Sequence, residues 1–277
     1  MSAGPLPAVA RQDAVRLTAL AERIESHCVR AWPAEVVQRE PDGWIFRATP
    51  GLPGRGRSNH ALTPVRPLHP SEIDPAIQRV TDFAAQHGVE CGIQVGPIDF
   101  HIPLLNELDA RGWEVQQAVL VMTAQSAALA AGADPTFGLE ITDHATPEWV
   151  AAWQLCEPGR SGVQAHVETV FKLMAGNARF ARLGQLAVGI IVELDGLAGL
   201  YCLAVNPAHR RQGLGVKLVR GLLRDSASEL TYLQVFSANE AGVGLYNSLG
   251  FTEAYRYCHV LAPAASPETT ERADGGC

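Results

Sequence analysis

The stretch N-P-A-H-R-R-Q-G-L-G, residues 206–215, sets two arginines and then two glycines one residue apart between an apolar run and a helical pattern. At the start of a helix the first backbone N–H groups have no intrahelical partner and the dipole is positive, so such a turn favours an anion. Gly213 and Gly215 would let a ligand reach the backbone with no Cβ in the way, and Arg210 and Arg211 add positive charge beside it. A diphosphate is the ligand this suggests. Other phosphate loops fit less well: a P-loop needs Gly-Lys-Ser/Thr after four residues, and the dinucleotide fingerprint needs a third glycine where Leu218 stands.

The flanking pattern supplies the frame. Thr146 and Pro147 open a helix carrying Trp149 and Trp153, and a second helical stretch ends at Gly176. Two apolar strands flank the Asp195-Gly196 turn, a strong hairpin signal. Leu214, Leu218 and Leu222, with Val219 and Leu223, make one helix face; T-Y-L-Q-V-F is a strand, N-E-A-G-V-G-L-Y-N-S-L-G a short helix, and E-A-Y-R-Y-C-H-V-L a final strand. The predicted order is α, α, β, β, α, β, α, β.

Together, V-N-P-A-H-R-R-Q-G-L-G and L-Q-V-F-S-A-N-E-A-G-V-G-L-Y-N-S-L-G-F resemble the acetyl-CoA-binding core of the GNAT superfamily of N-acetyltransferases. Arg210, Gly213 and Gly215 fill that family's Gln/Arg-x-x-Gly-x-Gly/Ala hallmark, and Asn239, Leu245, Tyr246, Leu249, Gly250 and Phe251 match its second signature. The resemblance directly covers about residues 199–260. It implies direct attack of an acceptor amine on the thioester of acetyl-CoA. It places backbone contacts to the pantetheine at Leu203, Ala204 and Val205, on the strand G-L-Y-C-L-A-V. The diphosphate loop falls at Arg210, Arg211, Gln212, Gly213, Leu214, Gly215 and Val216, with Asn239 and Leu245 also at the cofactor. Tyr246 is the implied acid for the departing thiolate, where the plain alternative is a core aromatic.

Many members place a basic carboxylate on the central strand, where this chain offers only Tyr201 and Cys202. Glu193 and Glu157 are the candidates instead, each with a solvated surface carboxylate as its ordinary reading. Cys202 reads as a buried small hydrophobe, and His166 and His209 as surface polar residues. No residue pattern calls for a metal.

The first half echoes the second. Ile93-Gln94-Val95 mirrors Leu233-Gln234-Val235 and Gly112-Trp113 mirrors Gly250-Phe251, while Leu108 stands at the position of Tyr246. Where a diphosphate loop would fall, V-R-P-L-H-P-S-E-I-D-P lacks Gly-x-Gly and brings Glu72 and Asp74. The expectation is an α/β (α+β) chain of two GNAT-like domains, each a mixed, largely antiparallel central sheet flanked by helices. These are a degenerate copy at 14–125, a linker at 126–137, a catalytic domain at 138–262 and a loose tail at 263–277, with residues 1–13 also loose. Arg47, Arg55, Arg57, Ser58 and Asn59 form a polar cluster read as a basic loop in preference to an acceptor wall.

Composition narrows the function. A formal charge of -7 disfavours non-specific nucleic-acid binding. No C-x-x-C pair and no long apolar run occur, so a soluble cytoplasmic protein that engages no membrane is expected, as monomer or homodimer. The expected partner is a primary amine of a small molecule or a peptide. The competing class is a non-catalytic acyl-CoA-binding sensor or assembly module, which would have no need of an acid at Tyr246.

Overall fold

The computed structural model describes residues 8–134, 137–159, 162–174 and 176–263. Among them, twelve strands form one mixed sheet. The first six are β1 Val36–Arg39, β2 Ile45–Ala48, β3 Ala61–Leu62, β4 Gly92–Val95, β5 Glu114–Val115 and β6 Val119–Gln125. The others are β7 Glu140–Thr142, β8 Ala178–Leu183, β9 Ala187–Leu194, β10 Leu197–Val205, β11 Leu230–Phe236 and β12 Thr252–Leu261. They run in the order β1-β2-β3-β4-β12-β6-β11-β10-β9-β8-β7, and β5 pairs with the end of β12. Two junctions are parallel, β3 with β4 and β10 with β11, one in each half.

The sheet is covered on both faces, which is why β9 and β10 are continuous apolar runs. Along β6 the side chains alternate: Val119 and Val121 join a core with Ile24, Trp149, Trp153 and Phe171, while Leu120 and Met122 join one with Leu218, Leu222 and Leu233. The helix Ala8–Ala31 and the helix Pro147–Cys156 cover the first face; Ser126–Ala130 and Leu214–Leu223 cover the second. A third core lies in the first half, where Ile73, Ile77, Val80 and Leu104 pack on Phe46, Ile93 and Val260. The expected hairpin is present, with Asp195 at φ 51° and Gly196 at φ 73° between β9 and β10.

The two halves exchange strands. The strand β6 lies between β11 and β12, paired from Leu230↔Gln125 to Phe236↔Val119 on one side and from Thr252↔Thr123 to Tyr257↔Val119 on the other. In return, the end of β12 enters the first half, with Cys258↔Val95 through Leu261↔Gly92 against β4. The sheet is therefore continuous across the division expected near residues 126–137. Part of that stretch is a helix, Ser126–Ala130, with Leu129 buried and Ser126 Oγ 2.8 Å from Thr231 Oγ1, and Pro135 and Thr136 lie outside the described residues.

Two other expectations change. The first helix begins at Ala8, inside the segment read as loose, because alanine, arginine, glutamine and leucine are strong helix formers whatever their polarity. The strands β7 and β8 extend the sheet beyond the expected pattern. Residues 1–7 and 264–277 lie outside the described residues.

Candidate active site

The parallel pair β10 and β11 stays in register from Leu197↔Leu230 to Leu200↔Leu233 and then separates. Each strand keeps its outer partner beyond that point: Ala204↔Val188 and Val205↔Ala187 hold β10, and Val235↔Leu120 and Phe236↔Val119 hold β11. The separation coincides with a register shift between Tyr201 and Ala204, where Cys202 has φ 49°, a left-handed conformation rare for a non-glycine residue. One edge of β10 from Tyr201 to Val205 therefore has no strand partner. A cavity of about 310 Å³ opens in this slit, lined by Leu200, Tyr201, Cys202, Leu203 and the stretch 233–236. Asn239 and Tyr246 also line it.

At the end of β10 the chain builds an anion nest. Arg211 at φ 65° and Gly213 at φ 74° are both left-handed, and Gly213 caps the helix Leu214–Leu223 with no side chain bonded to the cap. Among the described residues, the amides of residues 211–216 donate to no backbone carbonyl; the first to do so is Lys217, to Gly213 O at 3.1 Å. A Cβ on Gly213 would have nothing within 4 Å, so the space above it is open. The second glycine works differently. A Cβ on Gly215 would stand 2.9 Å from Leu245 Cδ2, so that glycine admits the neighbouring helix Glu240–Ser248, and Leu245 is its packing partner. The Arg210 Nε donates to Val205 O at 3.3 Å, folding that side chain back onto β10.

Asn239 caps the helix Glu240–Ser248, its Oδ1 accepting from Gly242 N at 3.0 Å, which leaves its Nδ2 as a donor. Tyr246 is half-buried with its ring edge-on to Phe251 at 5.9 Å, and burial pushes its phenol up to about 12. It thus has both a packed ring and a place on the cavity wall.

The two carboxylates expected as base candidates lie apart. Glu157 lines the cavity. Glu193 sits opposite Ala198, five residues and roughly 16 Å along β10 from Leu203. There it is committed to Arg179, Ser226 and Ser228, with Ser228 Oγ at 2.9 Å, and it does not line the cavity. His166, read as a surface residue, is 3% exposed, lines the cavity and has Nδ1 2.8 Å from Gly162 O. Cys202, read as a buried hydrophobe, is partly exposed and lines the same space.

The polar cluster of the first half divides. Arg47 and Asn59 are buried and structural: Arg47 donates to His60 O at 3.0 Å and to Gln94 Oε1 at 3.1 Å, and burial pulls its guanidinium down to about 10. Asn59 accepts from Thr49 N at 2.7 Å and donates to Arg55 O at 3.1 Å, which fixes the loop 49–59. Arg55, Arg57 and Ser58 line the cavity with Trp32, whose Nε1 donates to Ser58 Oγ at 3.2 Å. The reading of this stretch as a plain basic loop is thus corrected, because the fold carries it across to the slit of the second half.

The equivalent position in the first half is filled by the chain itself. In the first turn of the helix Pro70–His87, the Glu72 carboxylate accepts from His69 N at 2.6 Å and from both Arg66 terminal nitrogens at 3.0 and 2.8 Å. Those contacts hold the Glu72 carboxyl down at about 2. Leu108, at the position of Tyr246, is fully buried.

Comparison with known proteins places this architecture. Residues 18–260 match the family described as the C-terminal region of the probable histone acetyltransferase Rv0428c. The [ribosomal protein bS18]-alanine N-acetyltransferase of Escherichia coli K12 is 36% identical over 83 residues, 28% of this chain and 55% of that enzyme, so the match spans about half the relative's length. A GCN5-related N-acetyltransferase from Kribbella flavida superimposes with a TM-score of 0.61 at 15% identity, over 89% of this chain and 95% of that one. A tandem GNAT protein from the clavulanic acid biosynthesis pathway does so with a TM-score of 0.57 at 14% identity, over 93% and 95%. At those identities the likeness is one of fold. The chain belongs to the Rv0428c C-terminal acetyltransferase family, within the GNAT N-acetyltransferases.

Proposed function

We propose that the chain transfers the acetyl group of acetyl-CoA to a primary amine of a small molecule or peptide, at one site set in the second half and walled by the first. The observation that carries this reading is the meeting, in one cavity, of the unpaired edge of β10, the opposed stretch of β11, Asn239 and Tyr246. The unbonded amides of residues 211–216 beyond it fit a diphosphate, and the open space over Gly213 fits its approach.

Acetyl-CoA supplies an acyl group activated as a thioester. The chain's own groups do the rest. The edge of β10 at Leu203, Ala204 and Val205 receives the pantetheine as an added strand, and Asn239 Nδ2 is a donor beside it. Glu157 takes the proton of the attacking amine. Tyr246 remains protonated at neutral pH and donates to the departing sulfur. A phenol near 12 transfers its proton fully to a thiolate only against a gradient of several pH units, since a free thiol titrates near about 8.5. Its contribution is a hydrogen bond to the developing charge on the sulfur, which leaves as the thiolate while Glu157 holds the proton of the amine.

In this reading the first half, about 14–125, is a degenerate copy that keeps the fold and binds no cofactor, and the second, about 138–262, is the active one. Glu72 occupying its own helix N-terminus supports that assignment. An acceptor screen with acetyl-CoA that reads free thiol tests the proposal: amine-dependent release supports it, whereas cofactor binding with no release from any amine favours the sensor or assembly role.

A further inference from the structure

We infer that the acceptor carries an anionic group besides its amine, and that Arg57 binds that group. The inference rests on the acetyl-transfer reading and narrows its substrate class. A second cavity of about 510 Å³ adjoins the slit, lined by Glu90, Gln116, Val119, Tyr257 and His259, and the two share Arg55, Gly56, Arg57, Gln234 and Phe236. The guanidinium of Arg57 therefore stands where the space beside the thioester site widens into room for the body of an acceptor.

Several guanidiniums of comparable exposure are paired. Arg66, Arg79, Arg179 and Arg182, all partly exposed, are each neutralised by a carboxylate. Arg57 forms no ion pair among the described residues. It lies beside two rings of the slit that pack on each other, 5.6 Å from the Trp32 centroid and 5.8 Å from that of Tyr201, with the Tyr257 hydroxyl as its polar neighbour. The carboxyl behind it, Glu25, is a poor counter-ion. It is bound by Tyr255 Oη at 2.6 Å and by Gln94 Nε2 at 3.3 Å, it faces the buried Arg47 as well, and burial raises its affinity for a proton. The neighbours of Arg57 favour its charged form, and with no carboxylate paired to it among the described residues this permanent cation can still take an anion from the cavity.

The wall is also rigid. Asn59 fixes the loop, and Trp32 is tied to Ser58, so little freedom is lost when Arg57 engages a ligand. His60 and His259 add no charge, because burial pulls their imidazoles down to about 3 and about 2. Glu157 on the first cavity and Glu90 on the second suit an ammonium. A molecule with both signs of charge fits this distribution; a lysine-rich chain would set like charge against Arg55 and Arg57.

The test uses the full chain, acetyl-CoA and matched acceptors: lysine against 1,5-diaminopentane for a carboxylate, and phosphoethanolamine against ethanolamine for a phosphate. The anionic member of at least one pair should have a kcat/KM roughly 10- to 100-fold higher, the worth of one charge-assisted contact. Arg57→Gln should bring that ratio near one and Arg57→Lys should restore part of it. A ratio of one or less in both pairs, a ratio unchanged in Arg57→Gln, or a lysine-rich peptide as the better acceptor would overturn the inference. So would loss of acetyl-CoA affinity in Arg57→Gln, which would assign the guanidinium to the cofactor. If no amine is acetylated, the acetyl-transfer reading fails, and calorimetry on CoA-saturated protein still decides the anion site. N-acetylglycine binding, with N-acetylglycinamide not binding and the signal lost in Arg57→Gln, supports it; equal binding or none overturns it.

Discussion

Tyr257 pairs with Val119 and its neighbour Cys258 pairs with Val95, so two successive residues of one strand belong to the ladders of two different halves. Between them the chain passes from the part of the sheet that carries the slit into the part built by the first half. The reciprocal strand, β6, lies between β11 and β12 of the second half.

Neither half should fold by itself. A fragment of residues 126–277 lacks the strand between β11 and β12, and one of residues 1–125 lacks the strand beside β4, so each exposes backbone donors and apolar faces meant for the other. Separately expressed fragments should aggregate or lack cooperative unfolding, and co-expressed fragments should recover it. A fragment of residues 126–277 that unfolds cooperatively alone would contradict this.

Gly213→Ala should weaken acetyl-CoA binding by two routes. A left-handed residue with a Cβ costs roughly 1–2 kcal/mol, and displacement of one charge-assisted contact costs roughly 1.5–3 kcal/mol. Gly215→Ala acts through Leu245 instead, so a second change, Leu245→Ala, should recover much of its loss while leaving Gly213→Ala uncorrected. Calorimetric titration of the single and double variants distinguishes the two glycines.

One chain should bind one acetyl-CoA. The first copy's helix N-terminus is closed by a capping box of His69 and Glu72, the carboxylate itself held by Arg66. Native mass spectrometry should give a stoichiometry of one, unchanged in Glu72→Gln; a value near two would mean that the first copy retains a site.

Stability should fall as the solution is acidified below neutrality, ahead of carboxylate titration. Burial pulls His27 and His101 down to about 4 and His60 to about 3, against 6.5 in the unfolded chain. Below that value the unfolded chain binds protons that the folded one refuses, so each histidine contributes a loss of up to about 1.4 kcal/mol per pH unit. The stability is fully present above pH 6.5 and declines from there toward the folded values. Glu25, raised by burial, acts in the opposite sense as it takes up its proton. Urea midpoints should drop steadily from pH 7 to pH 5; a flat response would show these imidazoles to be accessible.

The parts of this architecture that were readable in sequence are those specified over a few residues. The glycine turn at 210–216, the Asp195-Gly196 hairpin and the helix opened by Thr146 and Pro147 depend on local φ and capping chemistry. Strand partners do not. V-L-V-M-T-A-Q, the strand β6, is apolar along its first four residues, and nothing in its alternation says that its neighbours are β11 and β12. Glu193 and Glu157 looked alike in sequence because distance from the slit is a property of the assembled sheet. Arg57 was visible as one of a basic cluster, but its role depends on Trp32 and Tyr201, brought beside it by a long helix and by a strand of the other half.

Product analysis decides whether this site moves an acetyl group or merely holds its carrier. The direct measurement quantifies free CoA and N-acetylated product together, from acetyl-CoA and an amine set, for the unaltered chain and Tyr246→Phe. Equal amounts of the two products are expected, with a rate reduced by about 10²- to 10³-fold in the variant, the worth of one hydrogen-bond donor to developing charge, and with acetyl-CoA affinity little changed. Full turnover in Tyr246→Phe would return that residue to its packing on Phe251, and acetyl-CoA binding without product from any amine would contradict the account altogether.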